Sequence, residues 1–484
     1  MDSNLYNLLL HAVDACPDKA FFYYRGSAFS YRDTLATVQQ LTAHLRGRGI
    51  AAGDRILVNL GNIPEFLYTL LSACQIGAIS VLTNPATRRI EMQHYIEETS
   101  PSLIVTHSES LTNFITGEDL ILPRERFILI DDPSRETGFA AAISTNHRYS
   151  PHESLAADHP AAIIFTSAMD GYALGAMITH GAIWETARVS QEIMINHDDL
   201  FITALPLFHS FGLTSSLFNP LYSHSSLYIL DKFSPRSLID LFKRLPVTFF
   251  CGVPFMYFIL AKVIPEGTVF PQMRAWISGG EAISSRMQEY LKNSFNIDVR
   301  QGYGLTEASP IVTWNLISEP NVYGSIGKPM PYNQVRLKSE EHDSRGDPAE
   351  GELMVKGINV IPGYYNRPEQ TAALIRDGWL YSGDLARRDM NGYYYITGRK
   401  KSMFLRKGFN VYPREVERIL CRHPFVLNAA SSITLEARED GSFEEGFSIT
   451  IVKKPGYPLD SDDLSNWCKD NLSSYKIPDT FVIK

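Results

Sequence analysis

Several function classes are excluded by what the chain lacks. Its five cysteines, Cys16, Cys74, Cys251, Cys421 and Cys468, are scattered, with no CxxC pair and no zinc-ligand spacing. That pattern predicts reduced thiols in a cytoplasmic protein rather than a disulfide scaffold or a structural metal site. There is no GxGxxG, no GxxxxGK[ST] and no GxSxG, so a nicotinamide dehydrogenase, a Walker-type NTPase and an α/β-hydrolase find no support. No basic stripe is present and the net charge is −8, which argues against a nucleic-acid partner. The N-terminus has no positive leader, and its apolar run is broken by His11 and Asp14. The most apolar stretch, residues 65–82, contains Glu65, Ser72, Gln75 and Gly77. It predicts a buried helix followed by a strand, not an integral membrane segment.

What remains is an ordinary globular composition, 44% hydrophobic and 20% charged, over 484 residues. That length suggests about three domains or subdomains. Strand-like runs alternate with helical patterns through the first half ("RILVNL", "PEFLYTLLSACQIG", "AISVL", "RIEMQHYIEE", "SLIVTH"), the βαβ rhythm of a doubly wound sheet. The rhythm resumes after residue 160. The expected fold is therefore α/β: two adjacent doubly wound sheets, in units of about 1–150 and 151–320. A small β-rich unit at about 321–398 completes a large domain ending near 401. Residues 402–484 form a small α+β C-terminal domain.

Four segments carry candidate chemistry. In "QGYGLTEASP" (301–310), Gly302 and Gly304 permit close backbone approach, and Tyr303 offers a flat face. Thr306 and Glu307 place a hydroxyl beside a carboxylate, as phosphate oxygens and Mg2+ require; a turn with a satisfied polar residue is the bland alternative. Asp384 in "YSGDLA" could take both ribose hydroxyls or cap a turn. Arg399 follows Gly398 in a basic segment that could equally be a solvated linker. His209 sits among aromatics in "PLFHSFG".

In this order and spacing the segments resemble the adenylate-forming family of acyl-CoA synthetases, luciferase-like enzymes and peptide-synthetase adenylation domains. The match runs from the N-terminus to "YKIP" (475–478), through "GYGLTE", "GELMVKG", "GYYNRPE", "DGWLYSGDLARRD", "NGYYYITGRKK" and "NVYPREVE". Bacterial medium- and long-chain fatty acyl-CoA ligases are the nearest in appearance. The resemblance implies that a carboxylic acid and ATP give acyl-AMP and pyrophosphate. The small, mobile domain then rotates and the acyl group passes to coenzyme A. It further implies that Thr166, Ser167 and Gly171 belong to the phosphate loop. Gly279, Gly280 and Glu281, with Tyr303 and Gly304, would flank adenine. Thr306 would hold the α-phosphate and Glu307 the Mg2+, while Asp384 and Arg399 grip the ribose. His209 would lie at the acyl pocket, Ser402 at the hinge and Gly408 in the pantetheine tunnel. Amino-acid-activating members carry an aspartate in the segment matching "FHSFG". Its absence implies an acid without an α-amine, a fatty acid by the resemblance.

The chain departs from the family at the phosphate loop. Against T-S-G-T-T-G-x-P-K-G it has Ala168, Met169 and Asp170, and Leu174 replaces the lysine. The Gly-Lys stretch expected beyond "YKIP" is absent, so the small domain reads as shortened. These losses leave open a second reading: an impaired relative that binds nucleotide or acyl ligand, or partners an active ligase.

Overall fold

The computed structural model describes residues 2–116, 119–134, 137–144, 151–167, 173–265, 267–338, 350–399, 404–406, 409–411, 413–437, 443–454 and 457–484. Two large sheets dominate. One has six strands in the order Ala173–Thr179, Pro160–Ser167, Ile79–Leu82, Arg55–Asn59, Leu103–Thr106, Phe127–Leu129. The other has nine, from Lys328–Pro329 through Ile311–Trp314, Val299–Gly304, Ala275–Ser278, Phe249–Gly252, Leu200–Thr203, Ser226–Ile229 and Ala20–Tyr24 to Ser27–Ser30. The centre of each sheet is parallel, and the antiparallel pairs lie at the edges. This is the α/β architecture expected from the alternating pattern.

The two sheets exchange strands across residue 150. Ala20–Tyr24 and Ser27–Ser30 edge the later sheet, while Pro160–Ser167 and Ala173–Thr179 edge the earlier one. A register of local apolar runs shows strands but not which sheet receives them. The apolar stretch at 65–82 is the helix Pro64–Ile76, buried almost throughout, followed by the strand Ile79–Leu82. Gly77 ends that helix at φ 80°, a conformation glycine adopts without steric cost. No helix among the described residues is long and apolar enough to cross a membrane.

The β-rich unit is a five-stranded sheet built on Asn333–Lys338, Glu350–Gly357 and Trp379–Arg388, with Tyr394–Arg399 paired to the last. Beyond it, residues 404–483 form a separate core of Val416, Ile419, Phe447, Ile449, Leu464 and their neighbours. A three-stranded sheet (Val426–Ala437, Phe443–Lys453, Thr480–Ile483) carries the helices Pro413–Leu420 and Ser461–Asn471. This unit docks on the helix Arg89–Thr99. Lys476 Nζ lies between Glu91 Oε1 and Glu415 Oε1 at 2.5 and 2.8 Å, and Ser473 donates through its backbone N–H and hydroxyl to Glu91 Oε2. All four side chains are buried. Burial alone would lower the Lys476 ammonium's pKa, but the Glu415 and Glu91 carboxylates outweigh it and hold the group well above the ordinary lysine range.

Candidate active site

The parallel strands of the nine-stranded sheet end together, and one cavity opens outside their carboxyl ends, the usual ligand position in α/β folds. Thr166, His209, Gly279, Gly280, Tyr303, Gly304, Thr306, Glu307, Asp384 and Arg399 all line it. Residues from six separated segments thus meet. Glu281 follows the glycines but does not line the cavity. Gly171, Ser402 and Gly408 fall outside the described residues, as does the Ser167 side chain.

Asp384 organises one end. It sits in the strand Trp379–Arg388 directly opposite Arg399 in the ladder. Arg399 Nε lies 2.6 Å from its Oδ1, and Tyr303 Oη donates to its Oδ2 at 2.6 Å. The Asp384 N–H donates to Ser382 Oγ at 3.0 Å, which fixes the turn. An ionised carboxylate has about four acceptor sites, and two charge-assisted bonds hold this one in place. Burial and the adjacent Asp384 carboxylate raise the Tyr303 phenol well above its ordinary pKa. The phenol therefore stays protonated and donates.

Glu307 organises the other end. Its Oε1 accepts from Thr166 Oγ1 at 3.0 Å and from Tyr364 Oη at 2.8 Å. Both hydroxyls converge on one oxygen and leave Oε2 to serve a cation. Mg2+ commonly uses one or two carboxylates together with substrate phosphates and water, so this donor set fits it. Thr306 Oγ1 lies 3.2 Å from Ser210 Oγ, which pairs two hydroxyls beside the carboxylate.

The segment after Pro160–Ser167 does not lead straight into a helix. After the loop comes a second strand, Ala173–Thr179, which pairs antiparallel with Pro160–Ser167 before the helix His180–Ile193 starts. "ALGAMIT" lies edge to edge with the preceding strand in the same sheet, and a Cβ at Gly175 would lie 2.7 Å from Ile163. The loop therefore joins two strands, and a helix N-terminus is not at its end. Leu174 lies directly across from Thr166 and is 5% exposed, packed in the main core. Among the described residues lining the cavity, Arg399 is the sole cation, and it is committed to Asp384. The described side chains fit adenosine, an α-phosphate and one metal ion. They offer no cation dedicated to the β- and γ-phosphates.

His209 caps the short helix Ser210–Leu213, and its Nδ1 accepts from the Phe211 N–H at 3.3 Å. The proton therefore resides on Nε2. Burial pulls the imidazole pKa down to about 4, so the ring is a neutral donor at physiological pH. Beside it, Phe211 packs on Gly279, whose added Cβ would lie 3.0 Å from the ring.

Sequence reasoning missed Ser382, Ser210, Phe211 and Trp314, which line the cavity, and Tyr364, which bonds Glu307. Tyr364 stood in the quoted "GYYNRPE" motif, but nothing in its spacing pointed to Glu307. The small domain also reaches this region: the strand Phe409–Val411 packs on Pro160–Ser167, which ends at Thr166 and Ser167.

The AMP-binding enzyme family matches residues 9–365. The chain is 28% identical to a long-chain-fatty-acid–CoA ligase of Bacillus subtilis, covering 100% of this chain and 91% of that protein. It is 29% identical to a feruloyl-CoA synthase of Amycolatopsis sp, covering 94% and 89%. Among solved structures, ATP-bound MatB from Rhodopseudomonas palustris is 27% identical, with a TM-score of 0.76 over 100% of this chain and 95% of that one.

Proposed function

The chain belongs to the AMP-binding enzyme family, and from that premise we propose that it is an AMP-forming acid–thiol ligase. It would join a carboxylic acid without an α-amine to coenzyme A through an acyl-adenylate. The observation that carries this reading is the convergence on one cavity of the Asp384–Tyr303–Arg399 cluster with the Glu307–Thr166–Tyr364 cluster.

In the first half-reaction a carboxylate oxygen attacks the α-phosphorus of ATP, the α–β anhydride bond breaks and pyrophosphate leaves. Asp384, held by Tyr303 and Arg399, anchors the ribose. Thr306 would donate to the α-phosphate, and Glu307 would hold Mg2+, which when bound supplies positive charge beside the phosphates. The neutral His209 presents Nε2–H to the acid and adds no charge to repel or trap it. In the second half-reaction the thiol sulfur attacks the acyl carbon, its proton is lost and AMP leaves. The small domain's strand Phe409–Val411, next to Gly408, supports a thiol route along that side.

The acid is the finer part of the reading. The sequence resemblance favours a fatty acid, while relatives of similar identity are named for a long-chain fatty acid and for ferulate. Leu174 favours the second reading, a relative that binds adenylate without efficient use of ATP. The deciding experiment follows AMP and thioester formation from ATP, Mg2+, coenzyme A and a panel of acids. Acid-dependent AMP and thioester are expected in equal amounts. A protein that binds AMP but forms neither product would overturn the ligase reading in favour of the second.

A further inference from the structure

Two hydroxyls meet in the cavity wall. Ser210 Oγ and Thr306 Oγ1 lie 3.2 Å apart, and 96 residues of chain separate them. Ser210 opens the short helix Ser210–Leu213, and Thr306 opens the turn Thr306–Ala308. Both backbones are pinned. The His209 N–H donates to the Pro206 carbonyl at 3.2 Å, and Gly212 passes so near that oxygen that a Cβ would lie 2.1 Å from it. The Leu305 N–H donates to the Pro310 carbonyl at 3.0 Å, and the Ser309 N–H to the Thr306 carbonyl at 3.1 Å. The adjacent Glu307 carboxylate takes its hydrogen bonds from Thr166 and Tyr364. Among the described residues, the Ser210 and Thr306 hydroxyls have each other as sole partners.

Hydrogen counting sets the direction of this bond. A hydroxyl has one hydrogen and two lone pairs. One hydrogen lies between the two oxygens, and one is left over. If Thr306 donated, the spare hydrogen would sit on Ser210, which is 1% exposed and has no other acceptor among the described residues. A buried donor without an acceptor is the unfavourable arrangement. With Ser210 donating, the spare hydrogen sits on Thr306, the more open of the two at 9%. Accepting from Ser210 also polarises the Thr306 hydroxyl and strengthens it as a donor. We propose that Ser210 is a positioning residue that aims the Thr306 hydroxyl hydrogen at an oxygen of the α-phosphate of a bound adenylate. Ser210 acts through Thr306 and makes no contact with the nucleotide itself. This inference rests on the ligase reading above and deepens it.

The test is a double-mutant cycle read by calorimetry with AMP and with adenosine, which lacks the phosphate. Ser210→Ala should weaken AMP binding about three- to tenfold, the worth of one neutral hydrogen bond, and leave adenosine binding unchanged. Thr306→Val keeps the shape of the side chain and removes its hydroxyl. It should weaken AMP binding about ten- to a hundredfold, as for a hydrogen bond to a charged group. The double variant should lose no more than Thr306→Val alone, because Ser210 then has nothing to aim. Ser210→Cys retains a weak S–H donor and should fall between the wild type and Ser210→Ala. In acyl-adenylate formation Ser210→Ala should lower kcat by a similar factor, with the KM of the acid unchanged. Equal losses for AMP and adenosine, additive losses in the cycle, or unchanged AMP affinity in Ser210→Ala would overturn the proposal. The expected binding pattern in a protein that forms neither acyl-adenylate nor thioester would uphold the Ser210–Thr306 pair and instead sink the ligase reading.

Discussion

Tyr303 Oη donates to Asp384 Oδ2 at 2.6 Å across 81 residues of chain, and it ties the glycine-rich segment to the strand that carries Arg399. This bond fixes the carboxylate that would take the ribose hydroxyls. Asp384→Asn keeps the size of the side chain and removes the charge from both contacts. A hydrogen bond to a charged group contributes about 1.5–3 kcal/mol, so affinity for AMP should fall about 10- to 150-fold. Calorimetry with AMP measures this directly. Unchanged affinity would mean that the ribose sits elsewhere.

Glu307 holds two hydroxyls on Oε1. Glu307→Gln preserves most of that packing and removes the negative charge needed by a metal. Formation of acyl-adenylate should drop by about 10²–10³ in kcat and require more Mg2+ for half-maximal rate. Thioester formation from supplied acyl-adenylate should suffer less. Equal losses in both steps would assign Glu307 a general structural role.

Leu174 and Thr166 face each other in an antiparallel pair, so their Cβ atoms lie about 5 Å apart. A lysine at 174 would have the reach to bring its ammonium past Thr166 toward Glu307. Leu174→Lys is expected to lower the KM for ATP with little effect on the reaction of supplied acyl-adenylate. An unchanged KM in a protein that still folds would show that the loop makes no phosphate contact.

How much of this was legible beforehand depended on the distance over which a signal acts. "GYGLTE", Asp384 and Arg399 are local motifs with fixed spacing, and they converge on one cavity. The hairpin at 160–179 was not legible, because "ALGAMIT" runs without a turn signal into the helix at His180. Strand exchange between the two sheets was equally hidden: pairing of Ala20–Tyr24 with Ser226–Ile229 depends on contacts made only in the folded chain. Trp314 carried no motif at all. It lies opposite Gly302, next to a bulge in the ladder where Tyr303 pairs with Thr313 and Gly304 with Ile311.

Lys476 joins the two cores through Glu91 and Glu415. Lys476→Met would leave both carboxylates buried without their cation, and removing one partner of a buried ion pair costs about 3–5 kcal/mol. Docking of residues 404–484 should weaken, with faster proteolysis near residues 400–412 and a lower melting temperature. A variant as resistant as the wild type would show that other contacts hold the small domain.

His180 is fully buried, with Nδ1 accepting from the Leu5 N–H at 3.1 Å, and burial, aided by His159, lowers its pKa to about 3. The unfolded value is about 6.5. Its folded pKa is the lower one, so its contribution is complete above pH 6.5 and is lost as pH falls toward 3. Between pH 7.5 and 5 this loss amounts to about 2 kcal/mol. In urea unfolding the stability gap between wild type and His180→Asn should close by that amount over the interval. Parallel pH profiles would contradict the assignment.

The most direct test of the account is a single-turnover reaction of the purified protein with a synthetic acyl-adenylate and coenzyme A, which bypasses the altered phosphate loop. One equivalent each of AMP and thioester is predicted, with the reaction suppressed in Asp384→Ala. Release of neither product by a protein that binds the adenylate would contradict the central claim that this cavity passes an acyl group from adenylate to thiol.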